Sequence, residues 1–223
     1  MKLKERIPET YTGITGESEV IDFDGFQKMM RDKGLIETDD IIKFGITAGT
    51  ALEIGPGPGY LGLEWLKKTE QTNLHWLEIS EDMKKIEMKN AKEYKLTHRV
   101  TSTVSDATKK FPFENNRFDA VFSAGSLHEW ADPVQTFNEI YRVLKPNGKF
   151  FIGDLKRNIN PLLIFIMKRM VKQKSMKQGL ITSLHAAYLK YEIIERLQQS
   201  GLRDFMVTEN LFGLCIKGIK KSG

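Results

Sequence analysis

The run Ala51-Leu52-Glu53-Ile54-Gly55-Pro56-Gly57-Pro58-Gly59-Tyr60 constrains this chain most, because an apolar strand there runs into a glycine loop and a helical pattern follows at once. Strand, glycine turn and helix in that order open a βα unit, and several such units in series call for a parallel sheet covered by helices. Glycines in the turn permit a left-handed backbone and let a ligand come up against the main chain. The dinucleotide pattern G-x-G-x-x-G begun at Gly55 would need glycine at position 60, where Tyr60 stands. Pro56 and Pro58 carry no N–H, so two donors are missing from a loop that would otherwise cradle phosphate.

The rest of the chain continues the alternation. Strands are expected at 50–54, 74–78, 100–105, 118–124 and 149–154, with helices over 60–69, 81–94 and 133–144 between them. Asp132 before Pro133 is a helix start, and Lys145-Pro146-Asn147-Gly148 closes that helix before the fifth strand. A last helix over 188–200 ends at Gly201, and the strand-like runs 204–209 and 211–217 lie too close together for a crossover, so they should form an antiparallel hairpin at the sheet edge. Residues 1–45 carry helical fragments broken by Gly13, Gly16, Gly25 and Gly34, and are expected to cap a main domain at 46–223. The fold class is therefore α/β, a mostly parallel, Rossmann-like central sheet with helices on both faces. At 223 residues, 40% apolar and 28% charged, one such domain with appendages is the expected size, and disorder is excluded.

The loop's few donors and the adjacent Glu53 suit a ligand that lacks phosphate and carries positive charge; S-adenosylmethionine, with its sulfonium and ammonium, is such a ligand. Glu78 closes the second apolar strand nineteen residues after Gly59, placed either to accept both ribose hydroxyls or to cap the next helix, two compatible roles. Asp106 stands at the end of the third strand.

Glu53-x-Gly55-x-Gly57-x-Gly59, Trp76-Leu77-Glu78-Ile79-Ser80 with Met83, Asp106-Ala107, the run from Phe118 to Trp130, and Tyr141-Arg142-Val143-Leu144-Lys145-Pro146-Asn147-Gly148-Lys149 resemble, in order, the motifs of class I methyltransferases, especially the group holding quinone and other small-molecule methylators. The resemblance covers about half the chain. It implies S-adenosylmethionine as cofactor and S-adenosylhomocysteine as product. By the same resemblance the loop at Gly55, Gly57 and Gly59 would meet the methionine part, Glu53 would organise its amino-acid end, and Glu78, Ile79 and Met83 would border the ribose and adenine. Asp106 and the Ala107 N–H would read the adenine, and strand carbonyls near Ser123 would face the ammonium. Tyr11 and Trp130 are candidate aromatic walls over the substrate, with plain core as the alternative.

Methyl transfer from a sulfonium is an in-line displacement that rests largely on positioning. Where the acceptor must lose a proton, His128 is the candidate base, because imidazole titrates near neutrality; otherwise it shapes its loop. Neither H-E-x-x-H nor a Cys/His cluster occurs, so no metal site is expected. The lone Cys215 reads as a small buried hydrophobe.

The net charge of +5 is unevenly spread: residues 155–191 hold eight basic side chains and no acid, leaving −3 for the remainder. This basic segment, 155–190, follows the fifth strand, where the resembled family places a substrate-selecting lid. It would serve as an amphipathic lid over an apolar or anionic substrate or as a membrane-surface contact admitting a lipid or quinone, with a solvated helix face as the plainer reading. RNA contact ranks last, since basic residues alone provide only non-specific attraction and no specific nucleic-acid motif is visible. The charged N-terminus does not read as a secretory signal and no apolar run approaches the roughly 20 residues of a membrane span, so a cytoplasmic location is expected. A silent S-adenosylmethionine-binding module and a nucleotide-binding oxidoreductase remain as rival functions; oligomeric state is not legible.

Overall fold

A computed structural model describes residues 5–9, 13–171 and 173–221. Seven strands form one sheet: β1 (Gly49–Ile54), β2 (Thr72–Glu78), β3 (Val100–Val104), β4 (Phe118–Ala124), β5 (Leu144–Leu155), β6 (Phe205–Glu209) and β7 (Gly213–Ile219). Their order is β3-β2-β1-β4-β5-β7-β6. β1 to β5 run parallel, and β7 enters antiparallel beside β5 with β6 at the edge, the hairpin expected from the close spacing of the last two strands. The chain reverses its direction of winding between β3 and β4, so the C-terminal ends of β1 and β4 splay apart and leave a crevice.

The helices are α1 (Glu17–Asp32), α2 (Thr38–Lys43), α3 (Tyr60–Lys68), α4 (Glu81–Glu93), α5 (Pro133–Val143), α6 (Pro161–Met170), α7 (Lys174–Ala186) and α8 (Lys190–Gln198). Alternation along β1 divides the core. Leu52 and Ile54 join Val121, Phe150 and Ile152 under α5 and α8 on one face, while Ala51 joins Trp76, Phe122 and the α3 residues Leu63, Trp65 and Leu66 on the other. Both faces are thus sealed by apolar side chains, as a parallel sheet requires.

Several boundaries differ from expectation, three of them for identifiable local reasons. Gly25 does not break the first helix, which runs through it and stops at Gly34 in a left-handed turn; a glycine in a helix interior costs only about 1 kcal/mol, within reach of tertiary packing. β5 begins five residues early, because the Lys145-Pro146-Asn147-Gly148 turn becomes an irregularity within an extended strand: Asn147 takes a φ of 65° and its N–H donates to the Lys220 carbonyl at 2.7 Å. β7 starts late because the Asn210 side chain accepts from the N–H groups of Phe212 and Gly213, giving those residues to the turn.

His75 on β2 illustrates how the core sets a titration. Its ring nitrogens lie 2.7 and 2.8 Å from the hydroxyls of Thr101 and Thr103, and Phe113 and Phe118 meet it edge-on. Burial, aided by the Arg117 charge, lowers its pKa to about 4. The folded-state value lies below that of the unfolded chain, so the associated stability is complete above about pH 6.5 and is lost as pH falls toward 4. Allowing for partial solvent screening, the loss is about 2 kcal/mol. Denaturant midpoints at pH 7.5 and 4.5 should therefore differ more in the wild type than in His75→Gln; equal differences would show that His75 titrates normally in the fold.

Candidate active site

The crevice is built from the C-terminal ends of the parallel strands. At the end of β1, Glu53 is 1% exposed and lies beneath the glycine loop, accepting from Trp76 Nε1 at 2.7 Å and from the Gly62 N–H in the first turn of α3. Burial pushes its pKa up to about 8 against these two bonds, with nearby Glu78 adding to the rise. Gly62 makes this arrangement possible, since a Cβ there would strike Glu53 Oε2 and a Leu74 methyl. Gly59 begins α3 in a left-handed conformation at φ 82°, where a Cβ would come within 2.8 Å of the Trp76 ring. Gly59 thus secures helix-to-strand contact, and Gly55 and Gly57 border the crevice.

At the end of β2, Glu78 Oε1 accepts from the N–H groups of Ile79 and Ser80 at 2.9 Å each, and Oε2 from Gly57 N–H at 3.3 Å. Burial raises its pKa, opposed by these backbone bonds. Ser80, not Glu78, caps α4, accepting from Met83 N–H at 3.2 Å. Glu78 is therefore left to face the crevice. Past β3, Asp106 Oδ1 accepts from the Thr108 N–H and hydroxyl at 2.8 and 2.6 Å, and Lys109 Nζ lies 3.5 Å from Oδ2. Burial works against ionisation there, and these partners outweigh it, so Asp106 titrates below its ordinary value.

Two connected spaces result. A slot of about 90 Å³ is lined by Glu78, Ile79, Met83, Asp106, Ala107 and Trp130, among others. A second cavity of about 440 Å³ is roofed by Met167 and Val171 from the α6 end and by Met176 and Leu180 from α7, with Phe23 and Phe26 of α1 as walls. Ile14, Phe23, Gly55, Gly57, Gly125 and Glu129 line both. Glu53 belongs to the larger cavity and not to the slot. A strap at residues 5–9 crosses the top: Arg6 donates to the carbonyls of Ala186 and His128 at 2.6 and 2.9 Å and covers the Tyr188 ring, and Ile7 N–H donates to the His185 carbonyl.

The Ser123 side chain is fully buried, with its hydroxyl donating to the Ile54 carbonyl at 2.7 Å, and Gly125, just past the end of β4, lines the crevice. Trp130 lines the slot while packing edge-on against Phe137 at 5.7 Å, so it is both wall and core. Tyr11 lies outside the described residues.

His128 follows β4 in a short turn. Its Nδ1 is 2.9 and 3.0 Å from the two oxygens of Asp154 at the end of β5, and its N–H donates to the same carboxylate at 2.7 Å. Nε2 faces Glu9 at 3.5 Å and Glu129 at 3.9 Å. Burial disfavours the imidazolium, but Asp154, Glu129 and Glu9 together outweigh it and hold His128 at about 9. This environment favours the imidazolium at neutral pH. Asp154 and Glu9 were not singled out from sequence. The rule that located Glu53, Glu78 and Asp106, an acid closing a strand of the parallel sheet, applies equally to Asp154; no signal marks Glu9, which arrives from a distant segment.

Strand order, a glycine turn after β1 and acids at successive strand ends facing one crevice define the class I, Rossmann-like methyltransferase architecture. Residues 52–152 match the methyltransferase domain family. The chain is 33% identical over 110 residues to an uncharacterized methyltransferase, YdaC, of Bacillus subtilis, covering 49% of this chain and 58% of the relative. It is 34% identical over 124 residues to the ubiquinone/menaquinone biosynthesis C-methyltransferase UbiE of Chromobacterium violaceum, covering 54% and 49%. The chain thus spans about half the length of the curated relatives it matches. A protein described as an S-adenosyl-L-methionine-dependent methyltransferase from Methanococcus maripaludis superposes with a TM-score of 0.73 at 26% identity, over 95% of this chain and 99% of that one. Residues 52–152 thus form a methyltransferase domain of the class I, Rossmann-like architecture. No helix among the described residues is long and apolar enough to cross a membrane.

Proposed function

We propose that this chain transfers a methyl group from S-adenosylmethionine, held in the slot, to an apolar small molecule held in the larger cavity. The observation that carries the reading is the junction of the two spaces at Gly55, Gly57, Gly125 and Glu129. The residues suit this cofactor: Glu78 is fixed by three backbone donors, Asp106 is kept ionised beside the Ala107 N–H, and Ile79, Met83 and Trp130 offer apolar surface for a planar ring. Glu78 would accept from the ribose hydroxyls and Asp106 from the adenine amine. When bound, the cofactor supplies an electrophilic methyl group on a sulfonium. The protein's part is placement, aligning the acceptor behind that methyl group and excluding water with the strap and the α6–α7 roof.

The larger cavity also narrows the acceptor. Glu9, Glu19, Glu37, Glu53 and Glu129 line it, and among the described residues no lysine or arginine does. The described basic side chains of 155–190 therefore do not build an anion pocket, and this lining suits a neutral or cationic acceptor. Calorimetry with S-adenosylmethionine, followed by methyl transfer to matched acceptors on one aromatic skeleton, tests both statements. Neutral and amine forms should turn over at least about tenfold faster than the carboxylate form. A carboxylate that is preferred would overturn the acceptor class, and cofactor binding without product from any acceptor would favour a silent binding module.

A second reading, entry from a membrane surface, rests on α6. Leu162, Phe165 and Ile166 are 66%, 53% and 46% exposed at helical spacing, with Arg169 exposed beside them, while Met167 of the same helix roofs the cavity. The full chain should co-sediment with phosphatidylserine-containing vesicles at low salt, and Leu162→Glu with Phe165→Glu should abolish this. Equal sedimentation of the double variant would sink the idea.

A further inference from the structure

Glu9 from the strap and His128 and Glu129 from the turn after β4 converge although they belong to separate parts of the chain. Glu9 Oε2, His128 Nε2 and Glu129 Oε1 all lie within 4.8 Å of one another, at 3.5 Å for the Glu9–His128 pair and 3.9 Å for the His128–Glu129 pair. His128 is 4% exposed and its Nε2 points into the larger cavity. Behind it stands Asp154, itself 8% exposed, bonded to Nδ1 and fixed further by the N–H groups of His128 and Leu155.

We propose that these three side chains form a divalent-cation site, of the kind that takes Mn²⁺ or Zn²⁺. Imidazole nitrogen with carboxylate oxygen is the donor set such borderline ions prefer. Ligands about 2.1 Å from a shared ion in tetrahedral array stand about 3.4 Å apart, so the two His128 distances need only a few tenths of an ångström of closure. The Asp154–His128 pair supplies the outer carboxylate that orients a metal-ligating histidine, holding the proton on Nδ1 while the entering ion displaces the one on Nε2. Two carboxylates balance a 2+ ion once that proton has left, and no lysine or arginine among the described lining residues competes for them. Three protein ligands leave coordination positions open toward the cavity, and Glu129 borders the slot as well. An acceptor oxygen or nitrogen bound there would be held beside the transferable methyl group, a use that rests on the proposed function. Ion binding itself does not.

The test uses the full chain, stripped with a chelator and without S-adenosylmethionine. Titration with Mn²⁺, followed by loss of the free-ion paramagnetic resonance signal, should show one ion per chain, and Zn²⁺ should displace it. Glu9→Gln and Glu129→Gln should each weaken Mn²⁺ binding at least about tenfold, and Asp154→Asn by a comparable factor. Glu19→Gln, which alters the same cavity outside the cluster, should leave it within about twofold. Thermal midpoints without metal establish that each variant is folded; where Asp154→Asn is not, the two glutamate variants carry the decision. Absence of saturable binding up to about 1 mM, or binding indifferent to both glutamate variants, overturns the proposal and leaves a self-neutralised ion cluster around the His128 imidazolium. Because S-adenosylmethionine affinity is measured separately, failure here leaves the cofactor reading standing, and failure there leaves this one.

Discussion

Glu78→Ala is expected to weaken S-adenosylmethionine binding by two to three orders of magnitude. The carboxylate is held by Ile79, Ser80 and Gly57 N–H groups, so its orientation is set before any ligand arrives. Two hydrogen bonds from ribose hydroxyls to an ionised acceptor contribute about 1.5 to 3 kcal/mol each, and about 1.4 kcal/mol corresponds to one decade in affinity. Removing the carboxylate also frees the Gly57 N–H and loosens the loop, which adds to the loss. Glu78→Gln keeps the size but turns an NH₂ toward backbone donors, so it should fall between wild type and Ala. Calorimetry with S-adenosylmethionine and S-adenosylhomocysteine reads the effect. An affinity for both ligands within about threefold of wild type in Glu78→Ala would mean that the nucleoside is gripped elsewhere.

Gly62→Ala carries the second large effect, and its sign opposes intrinsic propensity. On an isolated helix this exchange would stabilise by roughly 0.5–1 kcal/mol, since glycine is the poorer helix former. Here the added Cβ meets Glu53 Oε2 and Leu74 Cδ2 in a fully buried layer, and Trp76 Nε1 at 3.1 Å. Neither neighbour is free to swing away, so overpacking of about 1–3 kcal/mol is joined by loss of the Glu53 bonds to Trp76 and Gly62, and the net expectation is about 3 kcal/mol of destabilisation. For a domain of this size that lowers the melting midpoint by about 6–12 °C. A midpoint at or above the wild type's would show that α3 shifts on the sheet at little cost.

The two variants mark where sequence reasoning succeeds and where it stops. Glu78 was legible because an acid closing an apolar strand has few places to go: the strand is buried on both faces, and its end opens onto the crevice. Gly62 was not, because a glycine inside Tyr60-Leu61-Gly62-Leu63-Glu64 is indistinguishable by pattern from any small residue on a helix face. Its importance arises from what β1 and β2 present to it. The burial of the Ser123 side chain was open for a related reason, since the period of two along β4 does not say which face a given residue takes until the neighbouring strands are known.

The local chemistry of the chain was enough to determine the succession of strands and helices, the glycine loop, the edge hairpin and the acids that close β1, β2 and β3, because each follows from periodicity or backbone allowance within a few residues. The protonation of His128, the bracing of Glu53 by Trp76 and Gly62, and the meeting of Glu9 with the turn after β4 were decided only by the tertiary structure. Those features depend on burial and on charges contributed by residues far apart in the chain, and a sequence records neither until the sheet order brings them together.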